Sequence, residues 1–217
     1  MAAVAIVVGI KVLSEPKSGV RQVTVAQGKP KLTPIADTGD VYRFAMESET
    51  GVQSGSSQVD LVEFFDIECP FCANYSEVLD SAQAILRDTL FVRFAHMPLR
   101  IHRFARQGAM AAECAHQQGV AARYVRAIYQ NQDSIGIRSW AHFGNDAGVR
   151  DTVAFESCRT SAAVAARIDS ARDAASALGI PGTPTIWLNG WQYSSPPDLA
   201  TLLRDIRRFA AERRQTK

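Results

Sequence analysis

Two cysteines separated by two residues, Cys69 and Cys72, are the side chains of this sequence best suited to covalent chemistry. Pro70 between them suits the first turn of a helix, where the N–H that proline lacks would be unpaired anyway. We therefore expect Cys69 at the end of a strand and Cys72 in the first turn of the next helix. A thiolate there faces free backbone N–H groups and the positive end of the helix dipole, which lower its pKa. The pair predicts thiol–disulfide exchange, with an exposed, activated Cys69 and with Cys72 placed to resolve a mixed disulfide.

A Cys-x-x-Cys pair alone also fits half of a zinc site, a structural disulfide, chance spacing, or a dithiol that binds copper or a partner. Zinc sites combine such a pair with a second pair of ligands. Cys114 and His116 are candidates, but they lie in a predicted helix far along the chain. Since the histidines also lack metal-ligand spacing, we predict no metal site.

Glu63 is an acidic residue in the middle of the apolar segment that precedes the cysteines. Strand alternation places it on a covered face with Leu61 and Phe65, so its carboxyl is expected to be buried. A buried carboxyl without a partner is costly unless it is protonated or takes part in chemistry. A structural glutamate with satisfied hydrogen bonds is the alternative.

Hydrophobic periodicity indicates alternating strands and helices around these residues. The predicted elements are a strand over 58–67, an amphipathic helix from Pro70, a strand over 89–97, a helical stretch over 101–178, two strands within 184–193 and a last helix with Ser195 as its N-cap. Phe71, Tyr75, Val78 and Ile85 belong to the apolar face of the first helix. An open sheet with helices on both faces would bury these elements.

The turn inside 184–193 carries its own signal, because Asn189-Gly190 is typical of a type I′ hairpin turn. Trp187 and Trp191 flank this turn, and we assign both to the core.

Composition limits the choice of compartment and partner. The chain has 217 residues and a net charge of +2, which favours no polyanionic partner. The arginine-rich C-terminus is typical of a solvated helix face, so no nucleic acid is expected.

The first 13 residues are almost entirely apolar but shorter than the roughly 20 that a spanning helix needs. We interpret them as a signal or anchor segment, with a buried strand as the alternative, and residues 14 to about 40 as a linker.

Four segments together resemble the DsbA-like group of thioredoxin-fold thiol–disulfide oxidoreductases. They are "EFFDIECPFC" (63–72), "HMPL" (96–99), "AMAAECAHQQG" (109–119) and "LGIPGTPTIWLNG" (178–190). The resemblance implies an α/β thioredoxin fold, a mixed central sheet flanked by helices, with an inserted helical domain. The expected domains are a signal or anchor segment with linker (1–40), a thioredoxin-fold domain (41–100 and 179–217) and a helical insertion (101–178).

The resemblance also implies roles for individual residues. Cys69 would be the nucleophile and Cys72 the resolving thiol, and Pro184 would be cis with Thr183 beside the dithiol. The backbone of Thr183 would pair with an extended client peptide as an added strand. Glu63 would accept the proton of Cys72, through water. No cofactor is implied.

An exported family favours pairing of the two remaining cysteines, Cys114 and Cys158, although two free buried thiols are the alternative. The implied location is periplasmic or otherwise extracytoplasmic, with the N-terminal segment as a candidate anchor. The implied partners are client proteins and a membrane quinone-linked protein that reoxidises the dithiol, and a monomer is expected. A reductase or isomerase of the same fold is the alternative direction of exchange.

Two residues depart from the family pattern. Phe71 stands where DsbA has histidine, so no imidazolium can donate to the thiolate. Glu68 adds a negative charge directly before Cys69, which opposes thiolate formation. Both lead us to expect a reduction potential between about −120 mV for DsbA and about −270 mV for thioredoxin.

Overall fold

A computed structural model describes residues 30–47 and 59–215 of the chain. The predicted signal or anchor segment and residues 14–29 of the predicted linker lie outside the described residues. Within the described ranges, no helix is both long and apolar enough to cross a membrane.

One six-stranded sheet runs through the described part of the chain. Its strands are β1 (Leu32–Pro34), β2 (Met46–Glu47), β3 (Val59–Phe65), β4 (Leu90–His96), β5 (Thr185–Leu188) and β6 (Trp191–Tyr193). Their spatial order is β1-β6-β5-β3-β4-β2, with β3 and β4 parallel and the other neighbours antiparallel. The mixed central sheet of the predicted fold is confirmed.

Helices cover the sheet. They are α1 (Val41–Phe44), α2 (Pro70–Ile85), α3 (Ala105–Gln117), α4 (Ala121–Tyr129), α5 (Trp140–Ala147), α6 (Thr152–Arg159), α7 (Ala162–Ala177) and α8 (Leu199–Gln215). Helices α3 to α7 all come between β4 and β5 in the chain, within the stretch predicted to be helical. A long helical segment thus separates the two halves of the sheet in sequence.

The two faces of the central strand β3 belong to different hydrophobic cores, as strand alternation requires. Leu61 and Phe65 pack in the larger core with residues of α2, α3 and α8. Val62 and Phe64 pack on the opposite face with Trp187, whose ring lies 4.7 Å from that of Phe64. Glu63 shares the face of the larger core and is 1% exposed, so its predicted burial is confirmed.

Helix α2 begins at Pro70, as predicted, but the strand before it ends earlier than expected. Strand β3 ends at Phe65, and Cys69 is the extended N-cap residue of α2 with Pro70 in its first turn. The prediction that Cys69 ends the strand is therefore wrong, because a loop over 66–68 intervenes. Phe71 and Ile85, assigned to the apolar face, are 54% and 52% exposed instead.

The predicted turn at Asn189-Gly190 is confirmed. Both residues have positive φ, 54° and 84°, as a type I′ turn requires. The N–H of Asn189 donates to the carbonyl oxygen of Asp60 at 2.8 Å, and its side-chain oxygen accepts from the N–H of Asp60. These bonds fix the hairpin to the beginning of β3. Trp187 is buried as predicted, but Trp191 is 36% exposed on β6, the strand next to the edge strand β1.

The prediction of a linker reaching residue 40 is wrong at its C-terminal end. Strand β1 lies inside that range and pairs with β6, with Leu32 opposite Tyr193. The strand has three residues and its partner is about 160 positions away, so local periodicity carries no sign of it.

Helix α8 begins later than predicted. Its first turn is capped by Asp198, whose carboxylate accepts from the N–H of Thr201 at 2.7 Å, and Ser195 lies outside it. A residue before proline is driven away from helical geometry. Ser195 precedes Pro196 and Pro196 precedes Pro197, so helical geometry is disfavoured until after Pro197.

A disulfide joins Cys114 in α3 to Cys158 in α6 across 44 positions of sequence. We expect replacement of both by alanine to lower the free energy of unfolding by roughly 2–4 kcal/mol, because the unfolded chain gains the freedom of a long loop. Urea unfolding measures this, with Cys69→Ser and Cys72→Ala in both proteins so that only one cysteine pair differs. Unfolding curves that superimpose would contradict the expectation.

Candidate active site

The loop between β3 and α2 is held by a buried carboxylate, that of Asp66. It accepts hydrogen bonds from the N–H groups of Glu68 and Leu99, each at 2.7 Å, and lies 2.8 Å from Nδ1 of His102. The loop that leads to Cys69 is thereby tied to the segment that follows β4. Asp66 was not among the predicted site residues, although an acidic side chain directly after a buried strand is a visible signal in the sequence.

The helical segment also holds the loop. The side-chain amide of Gln132 donates to the carbonyl oxygens of Ile67 and Cys69, both at 3.2 Å. The carboxylate of Glu68 accepts from the N–H of Phe104, directly before α3, at 2.7 Å. Glu68, expected to act on the Cys69 thiolate, is thus engaged at the start of α3. Nothing in the local sequence pattern pointed to Gln132.

Cys69 and Cys72 are free thiols in this structure. Cys69 is only 3% exposed, so the expectation of an exposed nucleophile is wrong. Its Sγ atom lies 3.5 Å from the carbonyl oxygen of Thr183. Access to this sulfur is therefore limited, with Thr183 directly beside it.

The pKa of Cys69 is lowered to about 6. The hydrogen bond from the Cys72 thiol contributes most and burial opposes it, while the Thr183 side chain and the N–H groups of Cys72 and Phe71 lower the pKa further. The two N–H groups are free because they belong to the first turn of α2. Near neutral pH, Cys69 is therefore mostly a thiolate, the form that attacks disulfides.

Cys72 and Glu63 behave in the opposite way. Burial raises the pKa of Cys72 well above its usual range, and the charges of Cys69 and Glu63 raise it further. Burial, followed by the charge on Cys69, raises the pKa of Glu63 well above its ordinary value. The Cys69 sulfur is thus stabilised as an anion, while the Cys72 thiol and the Glu63 carboxyl hold protons.

The segment before β5 completes the site. The Thr183–Pro184 peptide bond is cis. Strand β5 begins at Thr185, which lies opposite Phe64 of β3, so sheet register brings the segment beside the cysteine pair. The hydroxyl of Thr185 donates to the carbonyl oxygen of Gly182 at 2.7 Å and fixes the turn.

An apolar groove of about 470 Å³ adjoins the cysteine pair. Its wall is formed by residues from α2, from the segment before β5 and from the loop before α8. They are Phe71, Asn74, Tyr75, Val78, Thr183, Pro184, Ser195, Pro196, Pro197 and Asp198. The exposed Phe71 belongs to this groove, which accounts for an aromatic side chain that the core does not cover.

The structure brings Cys69, Cys72, Glu63, Thr183 and Pro184 into one site. Cys114 and Cys158 instead join two helices of the helical segment. Among the described residues, no group of three histidine, cysteine or acidic side chains could hold a metal ion. A thiolate, a thiol in contact with it and a buried carboxyl can carry out thiol–disulfide exchange.

Solved structures share this fold. The chain resembles BdbD from Bacillus subtilis with a TM-score of 0.67 and 14% identity, over 85% of this chain and 97% of that one. The TM-score is 0.63 at 19% identity for a thioredoxin-like oxidoreductase from Silicibacter pomeroyi, over 82% and 99% of the two chains. It is 0.57 at 23% identity for the oxidoreductase DsbA from Xylella fastidiosa, over 88% and 98%.

Curated proteins similar in sequence are larger. The chain is 31% identical over 148 residues to the Na(+)/H(+) antiporter NhaA 1 of Mycolicibacterium vanbaalenii, which covers 67% of this chain and 24% of that protein. The same antiporter of Mycolicibacterium gilvum gives the same figures. The chain thus spans about a quarter of the length of the curated relatives it matches.

A family model described as thioredoxin matches residues 48–208, which is most of the chain. Its range includes both cysteines of the pair, Glu63, the segment before β5 and the helical segment. The chain therefore belongs to the thioredoxin family, with the fold of the DsbA-type oxidoreductases to which it is similar.

Proposed function

We propose that this protein is an exported thiol–disulfide oxidoreductase that acts as a dithiol oxidase, passing a disulfide between Cys69 and Cys72 to cysteines of client proteins. The observation that supports this proposal most directly is the Cys69 thiolate, which is held at the N-terminus of α2 in contact with the Cys72 thiol. A dithiol whose reduced form is stabilised in this way is a better oxidant, because the disulfide gains more on reduction.

Exchange begins when a client thiolate attacks the Cys69 sulfur of the disulfide. The Cys69–Cys72 bond breaks, its electron pair leaves on Cys72, and the protonated carboxyl of Glu63 supplies a proton to that sulfur. A second client thiolate then attacks the client sulfur of the mixed disulfide. Cys69 leaves as a thiolate, and its low pKa makes it a good leaving group.

The groove offers a surface for the client chain. Phe71, Tyr75, Val78 and Pro184 give it apolar walls, which suit an extended apolar segment on one side of the reacting cysteine. Thr183 lies outside the ladder of β5, so its backbone can pair with such a segment as an added strand. Thr183 and Pro184 would then position the client, and Cys69 would react with it.

The proposed location is periplasmic or otherwise extracytoplasmic. The Cys114–Cys158 disulfide supports it, since structural disulfides persist in oxidising compartments. An exported oxidase needs a partner that removes its electrons, and we propose a membrane quinone-linked protein acting on a monomer. We also propose that residues 101–178 form a domain inserted into the thioredoxin fold of 41–100 and 179–217.

Three assays separate oxidation from the other uses of the dithiol. Transfer of disulfides to a reduced, unfolded protein supports the oxidase, while faster insulin reduction with an external reductant supports a reductase. Recovery of activity from a wrongly paired client supports an isomerase. Tight binding of Cu(I) without either transfer reaction would support a copper-binding module.

We expect the rate of Cys69 alkylation by iodoacetamide to rise with pH with a midpoint of about 6. Cys72→Ala should move this midpoint up, because it removes the main hydrogen-bond donor to the thiolate, and Cys72→Ser should move it less, because a hydroxyl can still donate. Mass spectrometry of Cys69 at each pH gives the curve. A wild-type midpoint near 8.5, that of an ordinary cysteine, would remove the basis of the proposed function.

We expect Cys72→Ala to accumulate mixed disulfides between Cys69 and client proteins, because the variant lacks the thiol that resolves them. Non-reducing electrophoresis with mass mapping of the linked peptides detects them. The matched control Cys69→Ser/Cys72→Ala should trap nothing. Equal trapping by both variants would place the reactive sulfur elsewhere.

We expect a reduction potential between about −270 mV and about −120 mV in equilibrium with glutathione. Phe71→His should raise the potential by about 30 mV, a tenfold change in the equilibrium constant, because an imidazolium next to Cys69 stabilises the thiolate. Phe71→Leu is the apolar control. A wild-type value at or above that of DsbA would contradict the expectation.

A further inference from the structure

Three polar atoms buried at the site have no hydrogen-bond partner among the described residues. They are Oε1 of Glu63, the hydroxyl oxygen of Tyr75 and Oγ1 of Thr183. A buried polar group without a partner is costly, so each such group in a folded protein needs an explanation. The proposed function explains Glu63 as a proton donor and acceptor and Thr183 as a neighbour of the Cys69 thiolate, and it leaves Tyr75 unexplained.

Tyr75 lies one helical turn after Cys72, so the two side chains share a face of α2. That face packs in the core that also contains Leu61 and Phe65, which flank Glu63 on the same side of β3. Tyr75 is 7% exposed and lines the groove, whereas Glu63 is 1% exposed and does not. Tyr75 therefore belongs both to the buried surroundings of Cys72 and to the wall that meets solvent.

Burial, together with nearby charges, keeps the hydroxyl of Tyr75 protonated. Burial contributes most to raising its pKa well above the ordinary value, and Glu63, Tyr193 and Asp198 raise it further. These three groups come from β3, from β6 and from the loop before α8. The hydroxyl therefore serves as a hydrogen-bond donor and acceptor and does not ionise at neutral pH.

We propose that the Tyr75 hydroxyl connects the Glu63 carboxyl to the groove through a water between the two oxygens, orienting that carboxyl and passing the proton of Cys72 to and from solvent. Tyr75 acts through Glu63, so it is a positioning residue for the exchange reaction. The proposal rests on the proposed function of the cysteine pair.

The proton transfers balance when the disulfide is restored from a mixed disulfide on Cys69. The Glu63 carboxyl, protonated in the reduced protein, first passes its proton through water to the Tyr75 oxygen, while the Tyr75 hydroxyl releases its own proton to water in the groove. Cys72 then gives its proton to the Glu63 carboxylate, and the new thiolate attacks the Cys69 sulfur. The bond between Cys69 and the partner sulfur breaks, and its electron pair leaves on the partner as a thiolate. Glu63 is then protonated again, as it is when a client thiolate attacks the disulfide.

An aromatic disulfide reagent that releases a coloured thiolate tests this in stopped flow. Attack by Cys69 releases one coloured thiolate, and resolution by Cys72 releases the second. We expect Tyr75→Phe to leave the first phase unchanged and to slow the second at least about fivefold, part of the hundredfold or more that a positioned proton donor can supply. Phenylalanine keeps the ring and removes only an unpaired hydroxyl, so folding should not suffer.

Two further readouts distinguish a proton relay from altered packing. In mixtures of light and heavy water, the wild-type rate of the second phase should curve with deuterium fraction, and the Tyr75→Phe rate should be linear. Glu63→Gln should slow the same phase, and adding Tyr75→Phe to it should slow the phase no further, because both act on one path. Tyr124→Phe, a buried tyrosine in the helical segment, is the control and should match wild type.

An unchanged second phase in Tyr75→Phe would overturn the proposed role of Tyr75 and leave the proposed function standing. The same holds if the double variant is slowed by the product of the two single effects. Release of only one coloured thiolate by the wild type would instead show that Cys72 does not resolve, and the proposed function would fail with it. The two failures are thus distinguishable in one experiment.

Discussion

The negative charge on Cys69 is stabilised by groups from separate parts of the chain, and the fold holds them together. The first turn of α2 supplies backbone N–H groups, Cys72 supplies a thiol, and the segment before β5 supplies Thr183. Thr183 reaches the sulfur because β5 pairs with β3 in a register that sets Thr185 opposite Phe64. These hydrogen-bond donors are held in place before the thiolate forms, so they stabilise its charge without having to reorganise. An ordered site can therefore favour an anion that has little access to water.

The helical segment contributes to this order and does more than cover the sheet. Gln132 satisfies two carbonyl oxygens of the loop that ends at Cys69, and Phe104 donates to Glu68 in the same loop. Gly108 of α3 approaches the loop so closely that a Cβ there would lie 2.4 Å from Ile67. The position of Cys69 thus depends on contacts from residues 36 to 65 positions later in the chain.

Local signals in the sequence were enough for the parts of the site that are local. The Cys69–Cys72 spacing, Pro70 and the apolar alternation around Glu63 predicted the helix N-terminus and the buried carboxyl, and Asn189-Gly190 predicted the hairpin. Long-range contacts could not be predicted in this way. Strand β1, the carboxylate of Asp66 and the amide of Gln132 are defined by partners distant in sequence, which periodicity does not register.

The solvent exposure of side chains was the other source of wrong predictions, because it depends on how helices, strands and loops pack against one another. Phe71 fits the apolar pattern of α2 but lines a groove, and Cys69 is enclosed beside Thr183. Trp191 directly follows the hairpin turn but lies partly exposed on β6, next to the edge strand β1. The positions of Phe71 and Cys69 follow from the packing of α2 against the segments before β5 and α8. Composition and periodicity describe single elements, so they cannot supply that packing.

The contact between the two thiols also determines what happens when peroxide reaches the site. A thiolate with a low pKa is readily oxidised to sulfenic acid, and further oxidation to the sulfinic form is irreversible for most proteins. Here a second thiol already lies against the sulfur and would condense with the sulfenic acid, expelling water. Oxidation of Cys69 would thus end in the Cys69–Cys72 disulfide, which is the form that the proposed function requires, instead of in an irreversible product.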